Sequence, residues 1–142
     1  MTTELAKKRP EFRNINAFKD LPTYRLPAAG WASILHGVRG VLMFVLLPLI
    51  IWMFDTSVSS EISAARLRHA FSEGATGVIL KLVALSLVWA YLHHFIAGVR
   101  HVWMDASHKA VSKSWGGKSA MVTLASSLLL TIVLGAKLFG LY

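Results

Sequence analysis

Three long apolar blocks, separated by short polar segments, dominate the pattern of hydrophobic and polar positions along the chain. They run over residues 29–54, 76–102 and 119–141. Each has the roughly 20 residues that a helix needs to cross about 30 Å of hydrocarbon. None shows the polar stripe that a helix on a soluble core presents to water. Because a lipid-exposed backbone must satisfy its own hydrogen bonds, each block predicts a transmembrane helix.

The pattern therefore predicts an all-α membrane protein. Residues 29–142 form its three-helix membrane domain, and residues 1–28 form a segment that precedes it. Pro48 lies within the first block, where a helix kink is tolerated in a bundle.

Composition agrees with the bilayer as solvent. Hydrophobic residues make up 55% of the 142 residues and charged residues only 15%, and the charges lie mostly between the blocks. In a soluble protein the net charge of +8 would suggest nucleic acid; here it is first a topology signal, and no nucleic-acid partner is expected. With no cysteine, the chain cannot by itself hold an iron–sulfur cluster or a thiolate zinc. Redox chemistry would need histidine-held cofactors or the clusters of a partner.

The flanking charges predict the orientation of the helices. Cations are dense before the first span and after the second, at Lys7, Lys8, Arg9, Arg13, Lys19, Arg25, Lys109, Lys113 and Lys118. In the connection between the first two spans, Arg66 and Arg68 are offset by three acidic residues. By the positive-inside rule, the N-terminus and the second connection face the cytoplasm. The first connection and the C-terminus then face outwards.

Ionisable residues within the spans are the most informative positions, since each costs a few kcal/mol to insert into a membrane. They are His36, Arg39, Lys81, His93, His94, Arg100 and His101. Such groups usually face the interior of a bundle and have a function. For Lys81 a simpler interpretation is favoured, because it can extend its ammonium towards the outer interface.

His94 is the best candidate ligand among these residues. It projects from nearly the same helix face as His101, two turns later, and the small residues Ala97 and Gly98 lie one turn from it. This leaves room for a flat macrocycle, and a neutral imidazole is a common ligand of haem iron. His93 points about 100° away and lacks small neighbours. The alternative is a set of polar packing residues in a transporter.

The first span carries a matching strip of small and polar residues. Ser33, His36, Gly37 and Gly40 follow helical spacing and favour close packing against another helix. The chain thus offers one convincing axial ligand. A six-coordinate haem would need a second histidine from a partner.

Two segments resemble the signatures of the cytochrome b subunit of succinate dehydrogenase. The run from His94 to Asp105 is similar to its second signature, H-x-x-x-G-[apolar]-R-H-[apolar]-x-[aromatic/Met]-D. Arg9-Pro10, Arg25-Leu26-Pro27 and the run from Ala32 to His36 resemble the first, R-P…S-x-x-H-R-x-[S/T]-G. The three-span layout also agrees, so the resemblance covers essentially the whole chain.

The resemblance implies a bacterial inner-membrane anchor subunit that is not catalytic alone. Its partners would be a second small haem-ligating anchor, an iron–sulfur subunit, a flavoprotein and the lipid bilayer. Haem b would be the cofactor and ubiquinone the substrate of the complex. By position, His94 would be the axial ligand of the haem iron, and the propionate region would comprise His36, Arg100 and His101.

The quinone site implied by the resemblance includes Ser33. The arginine that usually follows the first-signature histidine is Gly37 here, and Arg39 stands at the usual Ser/Thr position. Arg39 is therefore a candidate substitute, although it lies about 200° round the helix from position 37.

Two alternatives stay open at the level of sequence. The chain could anchor a quinol:fumarate reductase, which runs the same chemistry in reverse. It could also be a haem-free transport or structural subunit whose histidines relay protons. A reduced-minus-oxidised haem spectrum would distinguish the two haem-containing anchors, of succinate dehydrogenase and of fumarate reductase, from the haem-free subunit.

The predicted orientation can be tested with reporter fusions. Alkaline phosphatase fused after Tyr142 or inserted in the 55–74 connection should be active, because both sites are expected outside. A fusion in the 103–118 connection should be inactive and serves as the control. Cytoplasmic behaviour of either of the first two fusions would contradict the span count or the orientation.

Overall fold

The computed structural model describes residues 14, 16 and 18–142, and it confirms the all-α membrane fold with three spans. Helices long and apolar enough to cross a membrane are Ala28–Val45 (α1), Gly74–Ala106 (α4) and Lys113–Leu138 (α5). These three helices pack against one another as a bundle. The chain is therefore a multi-pass membrane protein. The Arg9-Pro10 pair and the cations before residue 14 lie outside the described residues.

The first apolar block forms two helices instead of one. α1 ends at Val45, and a second helix, Leu47–Val58 (α2), begins directly after Leu46. Pro48 stands in the first turn of α2, where its missing N–H is not needed. Its ring would clash with the carbonyl of Phe44 in a continuous helix, which accounts for the break.

The connection between the first two spans is itself helical. The helix Glu61–Ser72 (α3) begins with a capping box in which Ser60 and Ser63 each bond the other's backbone N–H. α3 packs against α2 and against the start of α4. Between α4 and α5, the turn is a short 3-10 helix, His108–Val111. The second span is longer than the expected 76–102, and the third begins earlier and ends earlier than 119–141.

Small and polar side chains fill the interior of the bundle, and apolar side chains cover its outer surface. The buried residues of the three spans are alanines and glycines together with Arg39, His93, Arg100, Thr123, Ser127 and Thr131. Large apolar side chains such as Phe44, Tyr91 and Leu129 are exposed. Lipid is as apolar as leucine, so association of the helices depends on close packing and interhelical hydrogen bonds.

The lack of a side chain at Gly77 allows the end of α3 to pack closely against the start of α4. A Cβ at this position would lie 2.7 Å from the carbonyl oxygen of Phe71, a backbone atom that cannot easily move. Gly77→Ala should therefore destabilise the protein by about 1–3 kcal/mol. The measurement is thermal unfolding in detergent.

Gly117→Ala is the matched control, because a Cβ there meets nothing within 4 Å. Removing the flexibility of a helical glycine should leave stability unchanged or raise it by up to about 1 kcal/mol. Equal behaviour of the two variants would show that the α3–α4 junction is not sterically limited.

Candidate haem and quinone site

His94 is held on α4 by a hydrogen bond to α1. Its Nδ1 lies 3.0 Å from the carbonyl oxygen of His36. A carbonyl only accepts, so neutral His94 carries its proton on Nδ1 and its lone pair on Nε2. Nε2 makes no hydrogen bond to any described residue, and it is not among the fully buried atoms that lack a partner. This arrangement, in which a backbone carbonyl orients the imidazole, is the one that metal-ligating histidines commonly show.

His93, the neighbouring residue, has no free ring nitrogen. It is completely buried, with Nε2 3.3 Å from the carbonyl oxygen of Ala32 and Nδ1 3.2 Å from Oγ of Ser127. Its Nε2 must donate to the carbonyl. Nδ1 is then an acceptor that shares the one hydroxyl proton of Ser127 with the carbonyl oxygen of Leu124, 3.0 Å from that hydroxyl. His93 therefore connects α4 to both α1 and α5, and it has no lone pair to offer a metal.

Two glycines allow the helices to approach at this point. A Cβ on Gly40 would lie 2.9 Å from Cε1 of His94, so any larger residue there would displace the imidazole. A Cβ on Gly98 would lie 3.7 Å from Cε1 of His36, which packs over that part of α4. The space that the sequence predicts beside Gly98 is thus partly taken by His36.

Three of the predicted site histidines lie together on the α1–α4 face. The rings of His36 and His94 stack with centroids 4.0 Å apart and an angle of 11° between their planes. The ring of His101 lies 5.2 Å from that of His36. Nδ1 of His36 is buried and has no hydrogen-bond partner among the described residues. A polar group from outside the chain would satisfy it.

Arg100 forms its hydrogen bonds with α5 and not with the histidine cluster. Only 7% of it is exposed; its Nε donates to Oγ of Ser119 at 2.9 Å and its Nη2 to the carbonyl oxygen of Gly116 at 3.1 Å. Both acceptors belong to the start of α5. Arg100 thus joins α4 to α5, a pairing that sequence spacing alone does not reveal. A contact with a propionate would have to coexist with these two bonds.

Arg39 is also buried, with 3% exposure, and its guanidinium carbon lies 3.6 Å from the ring centre of Trp89. Both terminal nitrogens, Nη1 and Nη2, are buried without a hydrogen-bond partner among the described residues. A cation over an aromatic face is attracted by the ring, but the remaining donors cost free energy if they stay unpaired. In the sequence, Trp89 is marked only by its place one turn before His93 on the same helix face.

Ser33 lies on the exposed face of α1, one turn before His36. Its hydroxyl makes no hydrogen bond to any described residue. By contrast, Ser86 and Ser126 each bond a carbonyl three residues earlier in their own helix. The Ser33 hydroxyl is therefore available to a ligand at this end of α1.

The fold and these residues define a class: a polytopic helical membrane subunit with a histidine cluster between two of its spans. Residues 7–134 match the model of the family described as succinate dehydrogenase/fumarate reductase transmembrane subunit. The chain belongs to that family, which confirms the resemblance seen in the sequence.

Two relatives carry the name succinate dehydrogenase cytochrome b556 subunit. The one from Paracoccus denitrificans is 27% identical over 113 residues, which are 80% of this chain and 83% of the relative. The one from Coxiella burnetii (strain RSA 493 / Nine Mile phase I) is 28% identical over 86 residues, or 61% of this chain and 66% of the relative.

Proposed function

We propose that this chain is the haem-b-binding membrane anchor of a succinate:ubiquinone oxidoreductase and forms part of its quinone-reduction site. Its membership of the family supports a role as an anchor subunit. The names of its two relatives, both cytochromes b556, support haem b. The observation that carries the proposal is the hydrogen bond from His94 Nδ1 to the carbonyl of His36, which leaves Nε2 with its lone pair.

The residues present fit a haem. His94 would hold the iron through Nε2, and Gly40 leaves room for its imidazole. This chain would supply one axial ligand of the iron, the imidazole of His94. The second would come from the other anchor subunit. Bound there, haem b supplies a site that takes up and releases one electron.

The propionate region would include His36, Arg100 and His101. The unpartnered Nδ1 of His36 is available to bond an anionic oxygen if it carries a proton. His101, whose ring is tilted by 48° to that of His36, lies towards the end of α4 near the connection to α5. Imidazole and guanidinium groups there would stabilise negative charge at the polar end of the site.

Ser33 would line the quinone pocket. Its exposed hydroxyl can donate a hydrogen bond to a quinone carbonyl, which orients the ring and favours negative charge on that oxygen. Arg39 is a further candidate for this site. Its guanidinium would have to leave Trp89 to touch the quinone, so from its present position it acts through its charge.

Succinate oxidation itself belongs to the partner subunits. A flavoprotein would oxidise succinate, and an iron–sulfur subunit would carry electrons to the membrane. With no cysteine, this chain contributes no cluster. It would provide the walls of the quinone site, the imidazole of His94 and the attachment to the bacterial cytoplasmic membrane.

The assignment of His94 over His93 can be tested by matched substitutions in the whole complex. Of the two adjacent histidines, only His94 has a ring nitrogen without a hydrogen-bond partner. His94→Leu removes that nitrogen, so the six-coordinate low-spin haem spectrum should be lost. His93→Gln should retain that spectrum, because glutamine can still donate to Ala32 and accept from Ser127. The measurements are reduced-minus-oxidised absorbance and electron paramagnetic resonance.

Gel filtration of both variants controls for assembly of the complex. The assignment of His94 is wrong if an assembled His94→Leu complex keeps the low-spin spectrum while an assembled His93→Gln complex loses it.

The role of Ser33 can be tested by separating the two half-reactions. Loss of one hydrogen bond to a ligand costs roughly 0.5–1.5 kcal/mol, or up to about tenfold in affinity. Ser33→Ala should therefore weaken quinone reduction, while succinate oxidation with a water-soluble acceptor stays unchanged. Ser126→Ala is the control, since that hydroxyl bonds only its own helix. Unchanged quinone kinetics in Ser33→Ala, over a range of quinone concentrations, would reduce Ser33 to a packing residue.

A further inference from the structure

A pocket far from the histidine cluster lies where four helices meet. Its volume is about 480 Å³, and it opens between α2, α3, α4 and α5 at the end of the bundle opposite the start of α1. Its apolar walls are Met53, Phe54, Leu67, Phe71 and Leu138, and its polar lining is Ser57, Arg68 and Lys81. No residue of the proposed haem or quinone site lines it.

The charge of this pocket is of one sign. Arg68 and Lys81 both line it, and no carboxylate does. Neither cation forms an ion pair or a hydrogen bond with the described residues, where the one ion pair joins His69 to Glu73. The Nζ atom of Lys81 lies 5.6 Å from the ring centre of Phe139. Two cations at one apolar pocket, without an acid, favour an anion.

The position of the two cations matches the polar surface of a bilayer. Lys81 is seven residues into α4, or about 10 Å along its axis, and its long side chain can reach the interface. Arg68 comes from α3, which lies between two spans and, with 12 residues, is too short to cross the hydrocarbon core by itself. Met53 of α2 and Leu138, the last residue of α5, belong to the apolar part of the lining. A ligand here would place an anionic head between the cations and hydrocarbon along the walls.

We propose that this pocket binds one anionic phospholipid. The phosphate oxygens accept hydrogen bonds from Arg68 and Lys81, and an acyl chain lies against Met53, Phe54 and Leu138. A zwitterionic lipid also carries a phosphate, but no carboxylate lines this pocket to pair with its ammonium group; Glu61 lines the neighbouring pocket, which shares Ser57 and Arg68. The pocket therefore prefers lipids with a net negative charge. This inference does not depend on the haem or quinone assignments.

The test is photo-crosslinking of the assembled complex in lipid nanodiscs. One sample contains phosphatidylglycerol with a diazirine in its acyl chain, and the other contains phosphatidylcholine with the same label. Mass spectrometry of the peptides then measures labelling of α2 near Met53 and of α5 near Leu138. In the wild-type protein, phosphatidylglycerol should label both sites more than phosphatidylcholine does.

Substitutions in the pocket should remove that preference. A cation near a membrane surface contributes about fivefold in affinity for an anionic lipid, so Arg68→Gln and Lys81→Gln should each lower the preference roughly fivefold. Arg66→Gln is the matched control, because Arg66 is exposed on the same helix and does not line the pocket. It should behave as the wild type, and Lys81→Arg should retain most of the preference.

Each outcome decides the proposal. Because the readout is a ratio of two lipids on one protein, reduced folding lowers both signals and leaves the ratio interpretable. Equal labelling by the two wild-type samples would overturn the proposal, and so would a ratio unchanged in Arg68→Gln and Lys81→Gln. Crosslinks from the pocket to another protein subunit, in place of lipid, would also overturn it.

Discussion

The hydrogen bonds of His93 are the interaction on which the rest of the structure depends. The completely buried side chain of His93 connects α4 to α1 through the carbonyl of Ala32 and to α5 through Ser127. Within a bilayer the hydrophobic effect does not hold helices together, since lipid tails solvate apolar side chains as well as other helices do. A three-way polar contact, surrounded by alanines that let the backbones approach, provides association and also determines the rotation of each helix.

Once His93 faces the interior, the next residue has to face elsewhere. Successive residues of a helix differ in direction by about 100°, so His94 projects onto the α1–α4 face, where Gly40 leaves space for its ring. The two adjacent histidines thus have different tasks. One connects the helices of the bundle, and the other stacks on His36 with a nitrogen free for a ligand. The chemistry of the site is a consequence of how the bundle is held together.

Much of this organisation could be predicted from residue patterns. Helix formation by the three apolar blocks follows from their length and from the demand of the backbone for internal hydrogen bonds. The small residues at helical spacing favour His94 over His93 as a ligand, and that assignment stays a prediction. The structure gives the two histidines different hydrogen-bond partners. Pro48 predicts a disturbance of the first helix near Leu46. The sequence does not distinguish a kink from a full separation into α1 and α2, which is what the structure has. The helix α3 gave little signal, because it is short and only weakly apolar.

By itself, then, the sequence determined that this protein lies in a lipid bilayer, how many times it spans the bilayer, and which family it belongs to. These depend on local length, periodicity and motif, which are properties of neighbouring residues. Only the tertiary structure decided the partners of the buried cations: Arg100 on Ser119 and Gly116, and Arg39 on Trp89. It also decided that Arg68 and Lys81 share one pocket. Such pairings depend on how helices that are distant in sequence are rotated and shifted along their axes relative to one another. The spacing of side chains within a single helix carries no information about this relative placement.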